Sequence, residues 1–306
     1  MQRWHRLRTW IGMKSFDISF HGNLILDNVY CVAEFAEGES NSCLSAYASP
    51  GALANMVLAV AKITSDISIA VDSLLGHDTS GAHILKWFKH FGKLYRNELG
   101  VNLPQQWEIP TSEAAIISDI NKKVRSSIVK WGACQQVSEL DNTKSNWHHI
   151  LYVDKLPNLT EQSLKSISKR SIISLDMCSN KHTDMERSRI NQMLHHADYV
   201  FAGSTEALSL TETSTVAESA HRLGSQCRGY AIVHTPTYSL YSNGSNSAEV
   251  KCPEILQGPV NVLGAGDNFA AAFITKMLQK EISIPEALEQ AHIHATNFIK
   301  KQSLEK

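Results

Sequence analysis

The 306-residue chain contains no C-x-x-C pair, and its six cysteines, at positions 31, 43, 134, 178, 227 and 252, are thinly spread. That spacing fits neither a disulfide framework nor a cysteine-rich metal site; reduced thiols in an intracellular protein account for it. No apolar run approaches the ~20 residues that span a bilayer, and the first residues lack the apolar stretch of a secretory signal. An excess of charge of one sign is missing too. A net charge of -1 creates no global field for nucleic acid or an anionic membrane. The expectation is small-molecule chemistry in the cytoplasm, with neither nucleic acid nor membrane as a partner.

Fourteen histidines suggest metal binding, but His148-His149 and His195-His196 are sequence neighbours whose side chains leave the backbone in different directions. Neither pair chelates well. The six tryptophans form no periodic stripe and read as packing residues.

What is present is 43% apolar and 19% charged residues, enough for a large core. Residues 16–26 read as a strand closed by Asp27, and residues 52–62 as a helix with Leu53, Met56, Val57 and Val60 on one face. Between them, residues 31–49 show no long helical stripe and suit a lid or small β appendage. Strands near 68–71, 114–118, 127–131, 150–153, 172–175, 199–201 and 230–233 follow, the later ones separated by helices near 160–169, 186–195 and 214–223. Such alternation predicts an α/β fold with a mostly parallel twisted sheet covered on both faces. We expect one domain over 15–300, with a small β lid near 28–49 that 101–135 can extend. Short tails are expected at 1–14 and 301–306. The first tail, with Arg3, Arg6, Arg8 and Lys14 and no acid, has the charge of an organellar targeting segment, but its shortness and scarce serine favour a disordered tail or an overextended start before Met13.

Gly264-Ala265-Gly266-Asp267 carries the most chemistry. A strand-like run ends in glycines and a small-residue helix with Phe269, Phe273 and Met277 begins at once, so free N–H groups and the positive end of a helix dipole meet there. Asp267 beside a bound anion could take a proton from a hydroxyl attacking a phosphoryl group. The same four residues also fit an ordinary Gly-rich turn with a first-turn acid. Ligands of parallel sheets bind at the carboxyl ends of strands. Asp27, Asp176, Asp267 and the helix start at 51–55 are all expected at that edge.

These residues resemble the ribokinase-like (PfkB) carbohydrate kinase family. Residues 260–273 are similar to its signature Asp-Thr-x-Gly-Ala-Gly-Asp-x-Phe, residues 22–27 to its first strand with a sugar-holding Asp, and residues 50–55 to its Gly-Gly-x-x-x-Asn segment. Residues 75–81 are similar to its Gly-x-Asp-x-x-Gly turn. The resemblance runs from Asp17 onward and implies a ribokinase-like fold that moves the γ-phosphoryl group of ATP, with Mg2+, to a hydroxymethyl of a sugar or sugar derivative. Asp267 would be the base, and the N–H groups of Gly264, Ala265 and Gly266 the anion hole. Asp27, Gly51 and Asn55 would seat the acceptor, and Glu206 would hold magnesium through water. Glu206, His234 and His292 fall at nucleotide-contacting positions.

The departures are concentrated on the donor side. Gly203 replaces the Asn of Asn-x-x-Glu, and His234, Pro236 and Ser239 occupy the Thr and both Gly positions of the nucleotide loop. Asn261 and Val262 replace Asp-Thr, removing a charge the family often uses for a monovalent cation and putting that cofactor in question. Two alternatives to a sugar kinase follow: a degenerate fold that binds a sugar or nucleoside without turnover, and a nucleoside kinase. A lid of exposed strands would also offer an edge for a homodimer.

Overall fold

The structure is a computed structural model that describes residues 15–138, 140, 144–178, 180–279 and 282–304. In chain order, β1 (Ser15–Gly22), β2 (Ile25–Val32) and β3 (Ser45–Ser49) precede α1 (Gly51–Ile63). The strands β4 (Ile69–Asp72) and β5 (Leu75–Gly76) lead to α2 (Thr79–Leu94). Next come β6 (Leu99–Asn102), β7 (Gln105–Gln106), β8 (Ser112–Asp119), β9 (Val124–Lys130), β10 (Lys144–Leu151) and α3 (Glu161–Ile167). Then β11 (Ile172–Asp176), α4 (Asp184–Leu194), β12 (Tyr199–Gly203), α5 (Ser204–Thr211) and α6 (Val216–Gln226) alternate. The chain closes with β13 (Tyr230–His234), β14 (Tyr238–Ser242), β15 (Ser247–Lys251), α7 (Ala265–Leu278) and α8 (Ile284–Leu304).

Nine strands form one sheet in the order β15-β14-β13-β12-β11-β10-β1-β4-β6. Its pairings are parallel except for the antiparallel β13-β14-β15 end. One face packs under α1, α2, α7 and α8 through Phe20, Met56, Phe88, Phe201 and Phe273; the other is covered by α3 to α6 through Leu164, Ile190, Leu210 and Leu223. Burial on both faces explains the nearly continuous apolar runs of the central strands. Ala270, Ala271 and Ala272 let α7 lie close against α1 and α8.

A second sheet, β3-β2-β8-β9, stands apart and has the form of a lid. It corrects the reading of residues 16–26 as one strand. The chain breaks at Gly22, where φ is +117° and a Cβ would lie 2.6 Å from the Leu151 carbonyl oxygen; only glycine permits that turn. Asp27 is therefore a lid residue, the third in β2, and does not close a strand of the main sheet. Residues 112–130 supply half of the lid, whereas 99–102, overlapping the expected extension, pair with β4 in the main sheet. The helix α8 runs to Leu304, past the expected boundary at 300; residues 305 and 306 and the expected tail over 1–14 lie outside the described residues. Among the described residues no helix is long and apolar enough to cross a membrane.

The sheet carries polar groups in its middle layer. Trp147 Nε1 donates to Ser174 Oγ at 2.7 Å, and the same oxygen meets His149 Nδ1 at 2.7 Å. Burial, with the neighbouring His21 charge second, depresses His149 to about 3, so the ring stays neutral. The Ser174→Ala substitution leaves two buried ring nitrogens unpaired. It is expected to cost about 1–3 kcal/mol, read as a lower urea midpoint with an unchanged m-value.

Candidate active site

The helix α7 starts where the sequence places its glycines. Gly264, at φ +80°, is the N-terminal cap, and a Cβ there would lie 3.1 Å from Asn55 Nδ2. A β-carbon would thus meet both left-handed strain and a close contact. The Asn268 amide donates back to the Gly264 carbonyl at 2.9 Å and fixes the turn. Of the three N–H groups expected in an anion hole, that of Ala265 donates to the Val262 carbonyl at 3.1 Å. Among the described residues those of Gly264 and Gly266 have no such acceptor, so two donors remain rather than three.

Asp267, only 8% exposed, sits in the first turn of α7. Asn55 Nδ2, from α1, donates to its Oδ2 at 3.0 Å, and the Tyr152 hydroxyl donates to Oδ1 at a longer 3.4 Å. Burial raises the Asp267 pKa, while Asn55, Arg125 and Tyr152 oppose the shift. Tyr152 follows β10 at φ +53°, a conformation that bulky residues rarely hold. Asn23 Nδ2 steadies it by donating to the Tyr152 carbonyl at 3.2 Å.

A cavity of ≈ 460 Å³ opens between the lid and the main sheet, lined among others by Asn23, Asp27, Arg125, Trp131, Tyr152 and Glu206. Asp27 is raised to about 7 by burial and then by the Asp267 charge, with Arg125 opposing. Glu206 is raised by burial against a hydrogen bond from the Gly203 N–H. Asp176, at the end of β11, is pushed well above the carboxylate range by burial and then by Glu206 and Asp267. Arg125 reaches in from β9 and stays protonated: burial opposes its charge, but Tyr152, Cys178, Asp267 and Glu206 surround it. No ion-pair contact to Arg125 is found among the described residues.

The structure thus puts Asp27 and Glu206 on the cavity wall and links Asp267 to that wall through the Tyr152 hydroxyl, with Gly51 opening α1 beside Asp27. Asn55 bonds directly to Asp267, which adds an orienting contact to its expected place beside the acceptor. His234 and His292 are not on this wall. His234 packs its ring 5.2 Å from that of Phe269, and burial, then His292, lowers it to about 4. His292 is 4% exposed, with Nε2 3.1 Å from Ser239 Oγ. Arg125 and Tyr152 were not expected. The inward period-two set Arg125, Ser127 and Val129 could have pointed to the first; no local pattern marks the second.

The Asp27 shift has a definite sign. Its carboxyl ionises near 3.8 when unfolded but near 7 when folded, so the folded chain holds more protons between those values and loses stability as pH rises through that window. The Asp27→Asn variant is expected to melt above the wild type at about pH 8, with the gap closing toward pH 4; melting curves across that range test it.

No curated protein matches the chain by sequence. Solved structures share its fold. The adenosine kinase of Sinorhizobium meliloti superposes with a TM-score of 0.75 at 17% identity, covering 93% of this chain and 94% of that one. The ribokinase of Thermotoga maritima gives 0.71 at 19% identity, covering 93% of each. The Arabidopsis thaliana ribokinase complexed with ribose and ATP gives 0.70 at 19%, covering 94% of this chain and 93% of that one. The fold is ribokinase-like: a large mostly parallel sheet with helices, plus a separate small sheet that fits a lid. The pattern of the pfkB family carbohydrate kinases matches residues 20–304, and the chain belongs to that family.

Proposed function

We propose that the protein transfers the γ-phosphoryl group of ATP to a hydroxymethyl group of a sugar or sugar derivative, with Asp267 as the base. The observation that carries this reading is the buried Asp267 carboxylate at the start of α7, held by Asn55 and Tyr152 beside the cavity that contains Asp27. Its two oxygens differ. Asn55 engages Oδ2 at 3.0 Å, so Oδ1, with only the longer contact, takes the proton of the acceptor hydroxyl. The hydroxyl oxygen then forms its bond to the γ-phosphorus as the bond to the bridging oxygen of ADP breaks. The Gly264 and Gly266 N–H groups and the Arg125 guanidinium hold the phosphoryl oxygens, and Asp27 holds acceptor hydroxyls. Lid closure by β2 and β9 excludes water.

Magnesium fits the residues present. Glu206 lines the cavity, and its charge adds to burial in raising Asp176, a repulsion that a cation would relieve. No cluster of three or more chelating groups occurs among the described residues, but magnesium bound with phosphates keeps its own waters and needs few carboxylates. When bound it would neutralise nucleotide phosphate charge. ATP and Mg2+ are thus the proposed cofactors, and the cytoplasm, where six free cysteines stay reduced, the proposed location.

A second reading, binding of a sugar or nucleoside without turnover, is favoured by the donor side, where Gly203 removes the Asn side chain and His292 is tied to Ser239. Nucleoside acceptors stay in view because Trp131 on the cavity wall offers a stacking face. A thermal-shift screen of ATP-magnesium, sugars and nucleosides, followed by transfer assays, separates these readings. Stabilisation by sugars with neither binding nor turnover of ATP-magnesium would establish the binder. In the kinase, Asp267→Asn is expected to lower kcat by about 10²–10⁴-fold with acceptor affinity unchanged; an unaltered rate removes Asp267 from the mechanism.

We also propose a homodimer through the lid. Its outer face carries Tyr30, Ala46, Ala48, Ala115 and Ile128, all exposed, with Ile128 at 79%. A contiguous exposed apolar face of this kind favours association. Ile128→Asp is expected to convert the dimer to a monomer in sedimentation velocity.

A further inference from the structure

Asn261 lies three residues before the anion-binding turn and is 3% exposed. Its amide meets three of the four lid strands, all but β9. Oδ1 accepts from Ser118 Oγ of β8 at 2.8 Å, and Nδ2 donates to Cys31 Sγ of β2 at 3.6 Å. Tyr47 of β3 shares a side-chain hydrogen bond with it. The same Oδ1 also accepts the Leu263 N–H at 3.1 Å, one residue before Gly264. Around this centre the Val260 N–H donates to the Ile120 carbonyl at 3.1 Å, and Lys123 Nζ to the Leu256 carbonyl at 3.0 Å. The segment leading into the turn is therefore stitched to the lid, with one side chain at the middle of the seam.

A monovalent cation does not fit the Asn261 side chain. The residue brings no negative charge, its oxygen already has two donors, and its nitrogen points a donor at the sulfur of Cys31. A carboxylate could meet Cys31 only by accepting its weak S–H donor, and would give up the N–H donor that the amide supplies. The neutral amide is thus matched to its partners as it stands.

We propose that Asn261 is a positioning residue that ties the lid to the Gly264 turn and replaces, without a bound ion, the aspartate and monovalent cation that related kinases use at the matching position. The inference rests on the reading of the Gly264 turn as the phosphoryl site. The position of the lid is then coupled to the order of the turn, so an acceptor under the lid and an anion at the turn each favour the other by the same factor.

The test needs no substrate, so a chain that transfers no phosphate would still answer it. Hydrogen exchange is followed in the wild type, Asn261→Ala and Asn261→Asp, and melting temperatures are compared in potassium and choline chloride at equal ionic strength. The wild type is expected to melt at the same temperature in both salts. In Asn261→Ala, exchange should rise about tenfold or more in 25–32, 112–119 and 260–266 together, as lost buried hydrogen bonds would require. Asn261→Asp, with its anionic oxygen restored, should melt higher in potassium than in choline. A potassium-specific rise in the wild type, faster exchange confined to 260–266, or an aspartate variant indifferent to potassium each overturns the proposal. Should the alanine variant not fold, the salt comparison on the wild type and the aspartate variant still decides it.

Discussion

The site is organised by negative charge that the fold has buried and cannot release to water. Asp27 and Glu206 line one cavity, Asp267 and Asp176 are coupled to them electrostatically, and burial is the first cause of the raised pKa in each of the four. Coulomb repulsion among them adds to that cost, so the chain holds the group together only because rigid elements fix every member. Asp267 is offset by the positive end of α7 and two donors, Glu206 by the Gly203 N–H, and Asp27, Glu206 and Asp267 together by Arg125 from the lid. Such a cavity favours ligands that arrive with hydrogen-bond donors or accompanying positive charge. Sugar hydroxyls and cation-bound phosphates are of that kind.

Two of the altered residues, Gly203 and His234, are one change rather than two. A Cβ on Gly203 would lie 2.6 Å from Glu206 Oε2, so the present position of that carboxylate, bonded to the Gly203 N–H, requires glycine. The ring of His234, opposite Gly203 in the β12-β13 register, would lie 3.7 Å from the same Cβ and 3.5 Å from one on Gly266. An asparagine at 203 would displace Glu206 and crowd His234 together. Neutral imidazole and small residues on either side therefore form a packed unit whose members exchange only jointly.

Much of this was legible in the residue order. The alternation of apolar periods places the parallel strands, because a strand buried on both faces must be apolar along its length. Gly264 to Asp267 marks its own helix start, since a left-handed cap and a first-turn acid are local chemistry. Three kinds of feature escaped. The antiparallel strands β14 and β15 at one end of the sheet are half polar and show little period. The break at Gly22 depends on the Leu151 carbonyl, which is distant in sequence. Tyr152 owes its place to a strained backbone held by Asn23, and Arg125 to a lid whose two halves lie far apart in the chain. Local propensity carries no information on contacts of that range.

Electrostatics also explains why an asparagine can stand at 261 without disturbing the proposed phosphoryl site. An aspartate paired with a monovalent cation contributes zero net charge beside the Gly264 turn, and so does a neutral amide. An aspartate alone would not: it would add a fifth carboxylate to the four already gathered and weaken the positive potential at the start of α7. Replacing the pair by Asn261 keeps the field at the Gly264 and Gly266 N–H groups nearly constant. What changes is the mechanical link, because an ion coordinates whatever oxygens surround it, whereas the amide binds Ser118, Cys31 and Leu263 in one fixed geometry. The turn keeps the positive potential of its N–H groups, and the lid gains a directional hold on it.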